Sequence, residues 1–292
     1  MESLAPFRTI ALIGRYKTVD VADSVRRLGA FLRARDCEVL IEAETSLHCG
    51  ASGFEVADFD VIGARADLAV VLGGDGSMLN AARQLAVRRV PLVGVNQGRL
   101  GFMTDIAARE MLERMTDLLE GRYTTEERVL LSAKVMRGTG TVFETLALND
   151  VVVNKGAASR LIEFQVHVDG AFVYDLRSDG LIVATPTGST AYALSSNGPI
   201  MHPDVAGLAL VPICPHTLSN RPITLSDRSA IDITLTRAPD ARLHFDGQPQ
   251  VDLVEGDRVL VRRAADTIRF VHPPGYSYYA MLREKLHWSS NF

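Results

Sequence analysis

The chain has 292 residues, 47% of them hydrophobic, with a net charge of −4, three cysteines and seven histidines. That length and apolar content allow one large or two ordinary domains with full cores, and the acidic balance points away from nucleic-acid or acidic-membrane partners. Cys37, Cys49 and Cys214 are few, odd in number and not in a metal-ligand spacing, which fits a reducing cytoplasm. The scattered histidines include no pair at helical spacing that would suggest structural zinc. Met1 to Pro6 lack the basic and apolar regions of a signal peptide, and no apolar run reaches the length of a membrane span.

In chain order, Thr9 to Ile13 reads as a buried strand ending at Gly14, and Val19, Val21, Val25, Leu28, Phe31 and Leu32 then repeat at helical spacing. Cys37 to Ile41 is a second strand, followed by a polar loop and a third strand, Leu68 to Leu72. A helix runs from about Ser77 to Leu85, Pro91 to Val95 is again a strand, and Glu110 to Leu119 is a helix ending near Gly121. Strands separated by helices imply a parallel sheet. Past Thr124 the texture changes to short strands: Ser132 to Val153, Leu161 to Val168, Ala171 to Leu176 and Leu181 to Ala184, with Asp169-Gly170 as a hairpin turn. Ile231, Ile233 and Leu235, then Val259 and Val261, then Ile268 and Phe270 alternate with polar residues. Tyr278, Met281, Leu282 and Leu286 return to helical spacing. The expected fold is an α/β N-terminal domain with a parallel sheet over 1–123, an all-β antiparallel, sandwich-like C-terminal domain over 124–272, and a helical segment over 273–292 that packs back.

Gly73-Gly74-Asp75-Gly76 stands between the apolar strand ending at Leu72 and the helix of Ser77. Glycines let backbone N–H groups approach an anion closely, and the helix start adds positive charge, so the turn reads as a phosphate crevice. A carboxylate there is unfavourable unless it has work to do: Asp75 could hold a metal ion, accept a proton from an attacking hydroxyl, or both. The plainer reading is a tight turn with Asp75 and Ser77 as helix caps. Gly98-Arg99-Leu100-Gly101-Phe102 suits a loop carrying Arg99 to a phosphate, although taken alone a turn with Arg99 in solvent is favoured.

Asn149-Asp150 lies within an apolar strand pattern and offers an amide for a base edge and a carboxylate for a ribose diol. Thr185-Pro186-Thr187-Gly188-Ser189-Thr190-Ala191-Tyr192 follows the strand Leu181 to Ala184; Ala191 to Ser196 suits a short helix, and Tyr192 could lie along a flat base. Asp246-Gly247-Gln248 reads as a hairpin turn, and Lys155, Arg160 and Arg177, with Asp179 near the last, are available for phosphates. No Gly-x-x-x-x-Gly-Lys-Ser/Thr sequence occurs, against a P-loop enzyme, and no serine has nucleophile-elbow context.

These motifs, in this order and spacing, resemble the bacterial NAD kinase family over nearly the whole chain. Many relatives carry histidine where Arg99 stands, and Gly-Gly-Asp-Gly is shared with lipid kinases and phosphofructokinases. The resemblance implies ATP-dependent phosphorylation of the adenosine-ribose 2′-hydroxyl of NAD. It makes Asp75 the general base, and Gly73, Gly74 and Gly76 the turn at the phosphates. It gives Asn149 and Asp150 to the adenine and a ribose, and Thr190, Ala191, Tyr192, Ala193, Leu194 and Ser195 to the adenosine lining. Arg177 and Asp179 would meet the other end of the dinucleotide across a subunit boundary, with Arg160 and Gln248 in lesser contacts. It further implies a divalent cation, usually Mg2+, bound with ATP, and a homodimer or homotetramer in the cytoplasm. A lipid kinase of the diacylglycerol kinase type and a non-catalytic nucleotide sensor are the alternatives. The first would want an acyl channel where hydroxyls and amides stand, and the intact Asp75 argues against the second.

Overall fold

A computed structural model describes residues 7–14, 19–50, 53–98, 101–156, 160–217, 219–248 and 250–288. The chain forms two compact units: the first runs to Glu127 and resumes at Thr267, and the second is Arg128–Asp266. The elements begin with β1 (Thr9–Gly14), α1 (Val19–Arg33), β2 (Glu38–Glu42), α2 (Ala43–Cys49), β3 (Glu55–Ala57), α3 (Phe59–Arg65), β4 (Leu68–Leu72), α4 (Asp75–Leu85), β5 (Leu92–Asn96), β6 (Ile106–Ala107) and α5 (Met111–Leu119). There follow β7 (Thr124–Arg137), β8 (Gly140–Ala147), β9 (Asp150–Lys155), β10 (Ile162–Val168), β11 (Ala171–Ser178) and β12 (Gly180–Ala184). Then come α6 (Tyr192–Ser195), β13 (Gly207–Ile213), β14 (Ile223–Ser226), β15 (Ile231–Arg237), β16 (Ala241–Phe245), β17 (Gln250–Leu253), β18 (Arg258–His272) and α7 (Tyr278–Lys285). Among the described residues no helix is long and apolar enough to cross a membrane.

The first unit is α/β. Its sheet runs β18-β5-β4-β1-β2-β3, with β6 on β5, and every pairing in it is parallel. All of β4 is buried, as a central parallel strand covered on both faces must be. Leu12, Val70 and Leu72 pack with Val25, Leu28 and Leu32 of α1 and with Met115 and Leu118 of α5. The chain winds outward from β1 through β2 to β3, then crosses back to build β4 and β5 on the other side. The order therefore reverses between β1 and β4, and the crevice beyond the carboxyl ends of two such strands is where open α/β sheets bind ligands.

The second unit is an all-antiparallel β structure. One sheet is β14-β13-β12-β9-β16-β17, and the other holds β11-β10-β15-β18 and the β7–β8 hairpin. Alternate residues such as Phe164, Val166, Ile233, Leu243, Phe245 and Val259 meet in one core, as expected for stacked sheets. β12 and β13 are buried on both faces because Ala193 of α6 and Met201 cover the side away from that core. Asp169 and Gly170 take positive φ in the two-residue turn joining β10 to β11.

Three features depart from the expectations. The polar break between the strands of residues 171–176 and 181–184, which by sequence reads as a hairpin end, is a change of sheet: β11 pairs with β10 in one sheet, whereas β12 pairs with β9 and β13 in the other. The alternating pattern at Ile268 and Phe270 continues β18 into the first unit, where Phe270 lies parallel to Leu92; alternation marks a strand but not the sheet it joins. The polar loop expected after β2 contains α2, β3 and α3. Its polar residues are caps: Glu42 accepts the N–H groups of Glu44 and Thr45, and Asp58 accepts that of Val61.

Thr45, fully buried, joins that cap to β1: its Oγ1 accepts the Gly14 N–H at 2.8 Å and donates to Glu42 Oε2 at 2.7 Å. Thr45→Val keeps the shape but strands a buried N–H. We expect it to lower the unfolding free energy by about 1–3 kcal/mol in equilibrium urea denaturation; an unchanged midpoint would mean that the Gly14 N–H finds another partner.

Candidate active site

At the switch point, β4 stops at Gly73, whose N–H donates to Val95 O at 2.9 Å, and α4 begins with Gly74 at its N-cap and no side chain capping it. Neither Asp75 nor Ser77 serves as the cap: Ser77 Oγ is buried without a partner, and the Asp75 carboxylate turns away from the helix. Asp75 Oδ2 accepts the Phe102 N–H at 2.9 Å and Oδ1 accepts the Met103 N–H at 3.0 Å. A Cβ on Gly101 would stand 2.0 Å from Oδ1, so only glycine lets that backbone close on the carboxylate. The segment is held in turn by Thr104 Oγ1, which accepts from Gly101 N–H and from Asn96 Nδ2, both at 3.0 Å. Gly101-Phe102, read from sequence as part of a phosphate loop, is thus the cradle of Asp75, while Arg99 lies outside the described residues.

In the second unit, Asn149, Asp150, Val152, Asn154, Ala191, Tyr192, His244, Asp246 and Gly247 line a pocket of about 290 Å³. Asp246 organises it. Its carboxylate accepts the N–H groups of Leu148 at 3.0 Å, Asn149 at 2.7 Å and Asp150 at 3.2 Å. The turn Asp246-Gly247 is a hairpin turn as read, with φ of 52° and 70°, but it also fixes the start of β9. Burial, and then the charge of Asp246, push the Asp150 carboxyl up to about 7. Burial, and then the Arg242 charge, hold His244 below the ordinary imidazole value. The Oδ1 atoms of Asn149 and Asn154, two residues that line the pocket, are buried without hydrogen-bond partners. Asp246, Asn154 and His244 are pocket residues that the sequence reading does not include among the candidates. The available signal was the period of two along β9 from Asp150 through Val152 to Asn154, with His244 opposite Val152 on β16.

The hydroxyl-rich loop is built on itself. Thr185 Oγ1 donates to Leu148 O at 2.5 Å and accepts the Gly188 N–H. Ser189 Oγ donates to Pro186 O and accepts the Met201 N–H, and Thr190 Oγ1 donates to Thr187 O. Arg128 donates to Thr187 Oγ1. These bonds fold the loop so that Ala191 and Tyr192 reach the pocket. Thr190, Leu194 and Ser195 do not line it, and Ala193 is buried against Ile182 and Val211. Gln248 and Arg160 are exposed and off the pocket wall. Asp179 pairs with Lys155 at 2.7 Å, and Arg177 lies 3.8 Å from Glu163; neither lines the pocket. Burial raises the Tyr192 hydroxyl, with the nearby Cys214, Asp179 and Asp150 adding to the shift.

The Asp150 carboxyl holds a proton in the folded protein that the unfolded chain gives up between about pH 4 and pH 7. Stability therefore falls as pH rises through that window. Asp150→Asn lacks this penalty and is expected to exceed the parent in stability by on the order of 1–4 kcal/mol at pH 8, the gap closing below pH 4. Urea unfolding at both pH values checks this; a gap that does not change with pH would refute the assignment.

Comparison with known proteins places this geometry. Residues 9–123 match the ATP-NAD kinase N-terminal domain, and residues 148–273 match the ATP-NAD kinase C-terminal domain. The chain is 59% identical over 285 residues to the NAD kinase of Aromatoleum aromaticum, covering 97% of this chain and 95% of that one. It is 57% identical to the NAD kinase of an Azoarcus species, with 98% of each chain covered. Among solved structures, yeast NADH kinase complexed with NADH matches with a TM-score of 0.90 at 26% identity, covering 99% of this chain and 90% of that chain. An NAD kinase from Archaeoglobus fulgidus in complex with ATP shares the fold, with a TM-score of 0.74 at 24% identity over 96% of this chain and 97% of that chain. The chain belongs to the ATP-NAD kinase family.

Proposed function

We propose that this protein is an NAD kinase that transfers the γ-phosphoryl group of ATP to the 2′-hydroxyl of the adenosine ribose of NAD, giving NADP and ADP. The observation that carries the chemistry is the Asp75 carboxylate, held by two backbone amides beside the uncapped start of α4. As the ribose oxygen attacks the γ-phosphorus and the bond to the β-phosphate oxygen breaks, the hydroxyl proton passes to Asp75. A positioned base of this kind contributes on the order of 10²–10⁴-fold. Phosphoryl transfer asks the protein mainly for alignment and charge neutralisation. The α4 start and the Gly73–Gly76 turn supply part of that neutralisation.

The cation enters as part of the magnesium–ATP substrate. Among the described residues no group of three or more His, Cys, Asp or Glu side chains is arranged to hold a metal ion. In the second unit, the unpartnered Asn149 and Asn154 oxygens fit the exocyclic amino group of adenine, Tyr192 can flank the ring, and Asp150 can meet a ribose hydroxyl. Arg177 and Asp179 do not line that pocket; we assign them to the far end of a dinucleotide bound by a neighbouring copy, in a cytoplasmic homodimer or homotetramer.

Incubation with ATP, Mg2+ and NAD should yield NADP, and its absence would overturn the reading. Asp75→Asn should lower turnover by on the order of 10²-fold or more while calorimetry still records NAD binding; near-normal turnover in the folded variant would remove Asp75 as the base. Mixing inactive Asp75→Asn and Asp179→Ala proteins should restore part of the activity, because a hybrid oligomer would hold a site with both residues intact. No recovery, despite subunit exchange seen with labelled protein, would mean that each site is built from one chain.

A further inference from the structure

His272, the last residue of β18, is 3% exposed and carries ionisable neighbours on both ring nitrogens. Nδ1 meets Asp105 Oδ2, and Nε2 approaches Glu126 Oε2 at 3.2 Å as a charge pair outside hydrogen-bond geometry. The Tyr276 ring stacks on the imidazole at 3.7 Å, within 7° of parallel, and Phe270 lies at 6.4 Å. Asp105 and Glu126 are the charged groups acting on His272, and their own side chains are only 12% and 14% exposed. Burial alone would strip the ring of its proton; the two carboxylates outweigh it and hold the pKa above the ordinary imidazole value. A neutral ring there would leave two carboxylates facing each other with no cation between them, so the imidazolium is the species that closes the cluster.

Asp105 also ends the segment that cradles Asp75. Phe102 and Met103 give their N–H groups to the Asp75 carboxylate, Thr104 accepts the Gly101 N–H, and Asp105 meets His272. Consecutive Cα atoms are held about 3.8 Å apart by planar peptides, so the position of Asp105 limits where the Met103 amide can lie. We propose that His272 is a positioning residue for Asp75: by bridging Asp105 and Glu126 it pins the far end of the Gly101–Asp105 segment and keeps the Phe102 and Met103 amides on the carboxylate. This rests on the reading of Asp75 as the base of an NAD kinase. The cluster does not line the Asn149–Asp246 pocket, so its effect falls on turnover rather than on binding there.

The imidazolium is present below its raised pKa and is lost as pH climbs through it, so turnover should decline on that alkaline limb. His272→Gln should lower kcat by about tenfold, leave KM for NAD within about twofold, and show no such limb. Glu126→Gln keeps the Asp105 contact but removes one carboxylate that favours the charged ring; it should move the limb to lower pH, which loss of packing would not do. A second readout needs no activity. In ligand-free protein at one fixed pH, hydrogen exchange at the Phe102 and Met103 amides should quicken by about tenfold or more in His272→Gln, while the amides of Val70 to Leu72 in β4 stay protected. Unchanged exchange at Phe102 and Met103, or an alkaline limb that Glu126→Gln leaves in place, would overturn the proposal. If His272→Gln does not fold, Glu126→Gln decides by the limb and by exchange. A parent protein that makes no NADP would refute the kinase reading, while the exchange comparison would still decide the coupling.

Discussion

A carboxylate taken out of water must be met by N–H donors or by a cation, or else give up its charge. Each unit has carboxylates that follow that constraint, Asp246 buried and Asp75 partly so. Asp246 accepts three successive backbone N–H groups and so fixes the chain entering β9. Asp75 accepts two and so fixes the segment after Gly101. Glu42 takes the opening amides of α2 together with the Thr45 hydroxyl, and Asp257, with no exposed side-chain surface, takes Arg137 and the Val254 N–H. Asp150 stands apart: burial and the neighbouring Asp246 charge act on it in the same direction, and its carboxyl moves towards neutrality.

The same constraint separates polar groups that hold the frame from polar groups left without a partner. The hydroxyls of Thr185 and Ser189 are spent on carbonyls and amides of their own loop and its neighbours, so their chemistry is to place Ala191 and Tyr192. The amide oxygens of Asn149 and Asn154 and the hydroxyl of Ser77 have no such partner. Buried polar atoms without partners are costly. Under the proposed function, a nucleotide that supplied donors to the two asparagines would recover that cost on binding.

Much of the fold was legible in the chain. β4 is a run of apolar residues that stops at a double glycine, and alternation at Ile231, Ile233 and Leu235 marks a half-buried strand. Asp169-Gly170 is the two-residue turn its composition predicts. What failed did so for a physical reason. Capped helices as short as α2 and α3 offer too few turns for a period of 3.6 to stand out from polar sequence. The passage from β11 to β12 reads like any short break, because nothing local distinguishes a hairpin from a change of sheet.

By itself the sequence determined the succession of strands and helices, the glycine turn that ends β4, and the residue types gathered in the Asn149, Thr185 and Asp246 motifs, since each of these depends on neighbours in the chain. Tertiary structure alone decided which donor meets which carboxylate. The Phe102 amide lies 27 residues from Asp75, the Asn149 amide 97 residues from Asp246, and His272 lies 167 residues from Asp105. Backbone amides carry no residue identity, and every non-proline position offers the same one. Which of them arrives at a buried carboxylate is set by the packing of the sheets and has no signature in the sequence.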